Sequence, residues 1–292
     1  MSGLDVLVVG ATGQQGGATA RELLAHGHTV RAMTRTPKSP AARALALAGA
    51  KIVRGDLTDC GSVAAAAAGA DAAFLVSDTF DAGVEEETRV AIKGVEGFRA
   101  AGVGHVVYTS AASADRDTGV PHYESKRRVE HYLREQAVPH TVIGPAFFME
   151  NRFFGLRRID DGWILPSPMP VDRQLQQIPV DDIGAFARHV FEHREQMLGQ
   201  RIDIASDELD GRHTADALSQ TLSASVRAVA VPADAARFGP DLAKMFDYIT
   251  RVGFVADVAG LRRDFADVHW QRFGDWATKQ DWVAQAGRAE PQ

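Results

Sequence analysis

The sequence predicts a doubly wound parallel α/β sheet with a smaller C-terminal α/β substrate lobe, on three observations. Short β-branched apolar runs alternate with longer helical patterns through the first half, the pattern of βαβ units covered on both faces. The first run passes directly into a glycine-rich turn that opens a helix. After about Gly144 the alternation gives way to prolines and irregular segments. With 292 residues, 45% of them hydrophobic and 24% charged, the chain suffices for one large domain or two small ones and is neither disordered nor fibrous in composition.

Six strands are expected in the first half, at about 4–9, 29–33, 51–53, 72–76, 105–108 and 140–143, each soon followed by Gly, Pro, Ser or Asp. Helices are expected between them at about 14–26, 41–48, 59–68, 84–101 and 123–136. In the last, Val129, Tyr132 and Leu133 recur at i, i+3 and i+4 and mark a buried stripe. Right-handed crossovers make the doubly wound sheet the simplest topology. Beyond Gly144 come Pro166, Pro168 and Pro170, an extended stretch ending at Pro179, and a helix from about 181 to 195 with Asp181 as its cap. A strand at 201–205, a helix at 214–222, a strand at 226–231 and Trp- and Phe-bearing helices follow, and 287–292 reads as a frayed tail. These segments are expected to be too discontinuous for an independent second core. They read as a lobe beside the sheet, with the substrate cleft between the two parts.

A formal net charge of -6 argues against a nucleic-acid partner, which needs a basic surface. The single cysteine, Cys60, excludes an internal disulfide and a cysteine-based metal cluster, and no metal-spaced histidine pair is present, so no metal is expected. No apolar stretch approaches the roughly 18 residues of a spanning helix. Residues 1–9 lack a basic leader pattern, and a cytoplasmic location is the expectation.

The strongest motif is Val9-Gly10-Ala11-Thr12-Gly13-Gln14-Gln15-Gly16-Gly17. Gly10 permits the tight turn off the strand, Gly13 lets backbone approach a pyrophosphate, and Gly16 allows close helix–strand packing. Helix-start N–H groups at Thr12, Gly13, Gln14, Gln15 and Gly16 then meet phosphate with the positive end of the helix dipole. The second strand selects the cofactor. Its end reads Met33-Thr34-Arg35-Thr36-Pro37-Lys38, without the acid that would bind a ribose diol and repel a 2′-phosphate. Arg35 with Lys38 therefore favours NADP(H), a charge-assisted contact of about 1.5 to 3 kcal/mol giving about a 10- to 150-fold preference, unless Arg35 is only a solvated loop arginine. Asp56 and Leu57 are placed to meet adenine, with Asp56 equally readable as a helix cap. Val76-Ser77-Asp78-Thr79 ends the fourth strand, where ligands of such sheets collect, so Ser77 joins the cofactor candidates.

On these residues the chain resembles the NmrA-like family of atypical short-chain dehydrogenase/reductases. The likeness rests on GATGQQGG, TRTP, GDLTD, YTSAAS, the Lys126 helix and, most specifically, Gly144-Pro145-Ala146-Phe147-Phe148-Met149-Glu150-Asn151. The resemblance implies an NADP-binding Rossmann domain over 1–150, a smaller dependent lobe over 151–292 with segments returning to the sheet, and members divided between reductases and non-catalytic sensors. By the same resemblance Lys126 reaches the nicotinamide ribose, and Phe148 to Asn151 approach the nicotinamide.

The chain departs from the usual short-chain pattern of a Tyr four residues before a Lys, where one helix face lets the ammonium lower the phenol pKa. It reads His122-Tyr123-Glu124-Ser125-Lys126. His122 holds the tyrosine position and becomes the candidate proton donor if the helix has begun by residue 122; otherwise it is a loop histidine. Tyr123 reads either as a second catalytic candidate or as an aromatic packed against the sheet. Ser110 and Ser113 are candidates to hold a substrate carbonyl, or turn residues. Phe147, Phe148, Met149, Phe153, Phe154 and Trp163 would line an apolar pocket or fill a core.

Three functions are compatible with these features. The first is an NADPH-dependent reductase of a quinone, enone or other aromatic-sized carbonyl acceptor. The second is a non-catalytic NADP(H)-sensing regulator with a protein partner, favoured by the altered tyrosine spacing. The third is a secondary-metabolite tailoring oxidoreductase on a polycyclic aromatic substrate. The sequence points to neither nucleic acid nor membrane as partner and leaves a homodimer open.

Overall fold

In the computed structural model, residues 3–77 and 83–285 are described. Asp78, Thr79 and the predicted tail from 287 lie outside them. The first half runs β1 (Asp5–Val8), α1 (Gln14–Ala25), β2 (Thr29–Thr34), α2 (Pro40–Leu47), β3 (Lys51–Arg54), α3 (Cys60–Ala67), β4 (Ala72–Leu75), α4 (Val84–Ala101), β5 (Val106–Thr109), α5 (Pro121–Glu135) and β6 (His140–Pro145). The second half continues with β7 (Phe147–Phe148), a 3-10 helix (Met149–Phe154), β8 (Arg157–Ile159), β9 (Gly162–Ser167), β10 (Leu175–Ile178), α6 (Val180–Glu192) and α7 (Arg194–Met197). It ends with β11 (Arg201–Ile204), β12 (Asp207–Leu209), α8 (Gly211–Leu222), β13 (Val226–Ala230), α9 (Ala235–Arg251), α10 (Val258–Asp264), α11 (Phe273–Ala277) and α12 (Trp282–Gln285).

Seven strands form one parallel sheet in the order β11-β6-β5-β4-β1-β2-β3, the doubly wound arrangement the alternation predicts. Successive residues of each strand point to opposite faces. Val6, Val8, Phe74 and Val107 meet α1 and α6 through Leu23, Ile183 and Phe186. Leu7, Ala73, Leu75 and Val106 meet α3, α4 and α5 through Val63, Val95, Phe98 and Leu133. Burying each such large side chain stabilises by about 1.5 to 3 kcal/mol.

Several local expectations need correction. α5 begins at Pro121, so its first turn includes His122. Asp59, not Asp56, caps α3, accepting from the Gly61 amide at 2.9 Å. Asp181 does not cap α6; the preceding residue Pro179 has no capping side chain, and Asp181 faces outward to Arg21 at 3.3 Å. The 151–292 stretch also contributes to the large sheet, because β11 pairs with β6 and α6 lies on α1. That approach is so close that a Cβ on Gly184 would stand 2.7 Å from the Ala18 carbonyl carbon.

Part of the same stretch, with Met149, also packs into a smaller cluster of its own, while Leu175, Ile178, Phe246 and Ile249 join the main core. Met149, Phe153, Leu156, Trp163, Leu165, Leu218, Phe273, Trp276 and Trp282 form a separate buried cluster. Phe153 and Trp282 approach to 4.8 Å between ring centroids. Of the two small sheets, β13-β9-β8 supplies Trp163, Leu165 and Val226 to this cluster, whereas Leu175 and Ile178 of β12-β10-β7 belong to the main core. No helix among the described residues is long and apolar enough to cross a membrane.

Candidate cofactor and reaction site

The glycine turn leaves β1 at Gly10, whose φ of 64° is the left-handed region that favours glycine. The Gly13 amide closes the turn on the Gly10 carbonyl at 2.9 Å. A Cβ on Gly16 would overlap that carbonyl oxygen and stand 2.8 Å from the oxygen of Val9. Gly13, by contrast, would meet only the Gly10 oxygen at 3.3 Å. Thr12, Gly13 and Gln14 are exposed, and α1 starts without a side-chain cap. A bare, uncapped start of a 12-residue helix beside an open glycine fits a pyrophosphate. Gln15 is held elsewhere, its Oε1 accepting from the Thr109 hydroxyl at 2.7 Å, which fixes α1 to the end of β5.

Arg35 and Lys38 are exposed just past β2. Asp56 sits near Arg35, with its carboxylate accepting from the Thr58 amide and hydroxyl, both at 2.9 Å. The Thr58 amide foremost, then its hydroxyl and the Arg35 charge, hold the Asp56 carboxyl below its usual range against partial burial. Leu57 turns toward α4, where its Cδ2 would lie 2.7 Å from a Cβ on Gly94; packing against the sheet leaves it only half-exposed for an adenine ring.

Lys126 is buried and extends inward from α5. Its Nζ donates to the Ser77 carbonyl at 2.6 Å and to the Ser77 hydroxyl at 3.2 Å, and stands 2.5 Å from Glu87 Oε1. Glu87 also accepts from Ser77 Oγ at 3.0 Å and from Ser125 Oγ. The three N–H donors of the ammonium thus already have three acceptors within the protein, and Ser77 serves that cluster. Lys126, expected at the nicotinamide ribose, and Ser77, a cofactor candidate, are thus bonded to each other and to the Glu87 carboxylate in this structure. Glu87 was missed in the sequence, although it lies on the same α4 stripe as Ala91, Val95 and Phe98, where an acid calls for a buried cation.

At the start of α5 the two aromatic candidates separate. His122 Nδ1 lies 2.6 Å from Asp241 Oδ1 on α9, a partner no local spacing could reveal. Tyr123 instead joins the main core, edge-on to Tyr248 at 6.3 Å. Burial, followed by Tyr248 and nearby Asp203 and Asp241, pushes its phenol well above the usual range, which makes it a poor proton donor. The Ser110 hydroxyl is engaged within the protein, whereas the Ser113 hydroxyl is buried without a partner. Ser110 donates to Glu130 at 2.6 Å, and the Ser113 amide donates to Asp203 at 3.0 Å. Arg201 joins both acids, at 3.0 Å to Glu130 and 2.6 Å to Asp203.

β6 ends at the carboxyl edge of the sheet and delivers Phe147, Phe148 and the 3-10 helix there. Phe148 and Asn151 are half-buried. Met149, Phe153 and Trp163 cannot line a pocket, because they fill the separate aromatic cluster; Phe147, Phe148 and Phe154 keep partial exposure. Glu150 Oε1 accepts from the Val180 amide at 3.0 Å and so supplies the α6 cap assigned to Asp181. Burial raises its carboxyl to about 7 from 4.5, against the Val180 amide. A raised folded value means stability fully present below about 4.5 and lost as pH rises toward 7. Glu150→Gln is therefore expected to gain, relative to native, on the order of 2 kcal/mol between pH 4.5 and 8. Urea unfolding across that range checks it, and a pH-independent difference would refute it.

The parallel sheet, its strand order and the Cβ-free turn at the head of α1 define a Rossmann-type α/β protein of the dinucleotide-binding class. The model of the NmrA-like family matches residues 4–254, and the chain belongs to that family. It is 35% identical over 158 residues to the NmrA-like family domain-containing oxidoreductase FrzB of Cladobotryum sp., covering 50% of this chain and 47% of that one. The chain thus spans about half the length of the curated relatives it matches. Among solved structures it resembles NmrA, a negative transcriptional regulator, in complex with NADP, at a TM-score of 0.81 and 20% identity over 98% of this chain and 97% of that one. It also resembles the NADPH-dependent quinone oxidoreductase QOR2 of Escherichia coli complexed with NADPH, at a TM-score of 0.76 and 17% identity over 94% and 98%.

Proposed function

We propose that the protein is an NADPH-dependent reductase of a quinone, enone or other aromatic-sized carbonyl acceptor. The observation that carries this reading is His122, one helical turn before Lys126 and clamped through Nδ1 by Asp241 at 2.6 Å. The glycine turn would hold the pyrophosphate, with Arg35 and Lys38 taking a 2′-phosphate. NADPH, when bound, supplies a hydride. The chain's own contribution is the proton. With Nδ1–H donated to Asp241, the Nε2 of His122 is the atom that delivers it to the acceptor's oxygen or carbon, and Asp241 stabilises the imidazolium before transfer. The Lys126–Glu87 pair beneath keeps the floor of the site rigid and close to neutral.

With an enone or aldehyde acceptor, His122→Ala is expected to lower kcat about 100-fold at unchanged NADPH affinity. An unchanged turnover number would remove His122 from the role. Arg35→Ala is expected to weaken NADPH by about 10- to 150-fold while leaving NADH nearly unchanged. Equal affinities of the native protein for the two nucleotides would overturn the 2′-phosphate assignment.

The alternative is a nucleotide-sensing regulator. It draws on Lys126, whose ammonium is engaged by Glu87 and Ser77, and on Tyr123, whose phenol is buried. Tight NADPH binding without oxidation by any member of a quinone, enone and aldehyde panel would favour that reading.

A further inference from the structure

The loop after β6 carries a second polar feature that neither the fold nor the proton donor requires. Arg152, on the 3-10 helix, is 94% buried, being 6% exposed. Its guanidinium lies over the Phe147 ring, 5.1 Å from the centroid. It has no salt bridge and no hydrogen bond among the described residues, and its Nε is fully enclosed without a partner. Burial alone lowers it to about 10, with no acid near enough to oppose the effect. An isolated cation in such surroundings is strongly disfavoured, and the other buried arginine among the described residues, Arg188, has carboxylate partners in Glu22, Glu192 and Asp267.

Gln177 supplies a second, independent observation. It is 0% exposed, and both its Nε2 and Oε1 lack partners. Its neighbour Gln176, on the other face of β10, is by contrast fully engaged, donating to the Ala256 carbonyl and accepting from the Ala256 amide, both at 2.9 Å. Gln177 pairs directly with Phe147 across the β10–β7 ladder, so the two side chains stand on one face. Unmatched donors from Arg152 and Gln177 therefore flank one half-buried aromatic ring at the carboxyl edge of the sheet.

We infer that Arg152, Gln177 and Phe147 form a subsite for a carboxylate on a flat organic ligand, so that the acceptor reduced here is anionic. This rests on the reductase reading for the word acceptor, but the binding claim does not. A planar guanidinium fork takes two carboxylate oxygens at once. The Gln177 amide adds one donor to the anion and one acceptor for a neighbouring hydroxyl, and the Phe147 ring covers the flat body.

Calorimetry on the NADP⁺-saturated protein tests it with 1-naphthoate and its neutral analogue 1-naphthamide. Naphthoate is expected to bind at least tenfold tighter than naphthamide to the native protein. Arg152→Met is expected to abolish the preference, leave NADP⁺ affinity unchanged and raise Tm, because a buried unpaired charge is removed. Gln177→Leu is expected to reduce the preference several-fold. Equal binding of the two probes to native protein, or a preference that survives Arg152→Met, would overturn the subsite. If the preference holds while no acceptor is reduced, the reductase reading fails and the anion site stands.

Discussion

Lys126→Met is expected to destabilise the protein by about 3 to 5 kcal/mol, the usual cost of stripping one partner from a buried ion pair. The reason lies in Glu87, whose side chain is 1% exposed and would be left with only the hydroxyls of Ser77 and Ser125 as partners. Adding Glu87→Gln to Lys126→Met is expected to restore most of the loss, since an amide needs no cation and retains hydrogen bonds to both serines. Urea unfolding of the native chain, the two single variants and the double variant measures the coupling. A double variant no more stable than Lys126→Met would dismiss the pair as the source of the cost. The double variant also answers a second question. If it folds like the native protein yet binds NADPH equally well, Lys126 is a floor residue and not a nucleotide ligand.

Gly16→Ala is expected to cost stability as well as nucleotide affinity, whereas Gly13→Ala is expected to cost affinity almost alone. Alanine in a helix gains about 1 kcal/mol over glycine, yet at residue 16 its Cβ would overlap the Gly10 carbonyl, and backbone cannot yield as a flexible side chain does. Overpacking of that kind costs about 1 to 3 kcal/mol and displaces the turn, so a net loss of stability accompanies a drop in NADPH affinity of about 100-fold. At residue 13 the new Cβ meets a single oxygen at 3.3 Å, and the fold should lose under about 1 kcal/mol. Thermal unfolding and fluorescence titration of both variants separate the two effects. Equal stability losses at 13 and 16 would refute the division of labour within the turn.

The parallel sheet was legible because its central strands β4 and β5 are buried on both faces and the helices between strands carry one buried stripe, so period and punctuation agree over the first half. The glycine turn was legible for the same local reason. What escaped the sequence depends on distance along the chain. His122 and Asp241 are 119 residues apart, and Lys126 with Ser77 is 49 apart, so nothing in a motif window records either partner. The Ser110 hydroxyl looked free in a YTSAAS segment because its acid, Glu130, arrives from α5. The aromatic cluster escaped differently: Met149, Phe153 and Trp163 read equally as pocket lining or core until Trp276 and Trp282, contributed by the end of the chain, are brought against them. Asp181 shows the limit of capping rules, since the buried Glu150 carboxylate from an earlier loop takes the amide that a local cap would have taken.

The close seat of α6 on α1, where Gly184 meets the backbone at Ala18, bears on how the chain matures during synthesis. The glycine turn is made within the first 17 residues, but the helix it opens has an uncovered apolar side until residue 192 has been added, and the sheet has an unpaired edge at β6 until residue 204. A nascent chain halted near residue 150 would expose both, inviting chaperone capture and edge-to-edge association. Covering of the α1 face and closure of the sheet edge therefore wait for the return of the later segments, so the order of translation sets when the first half is fully packed.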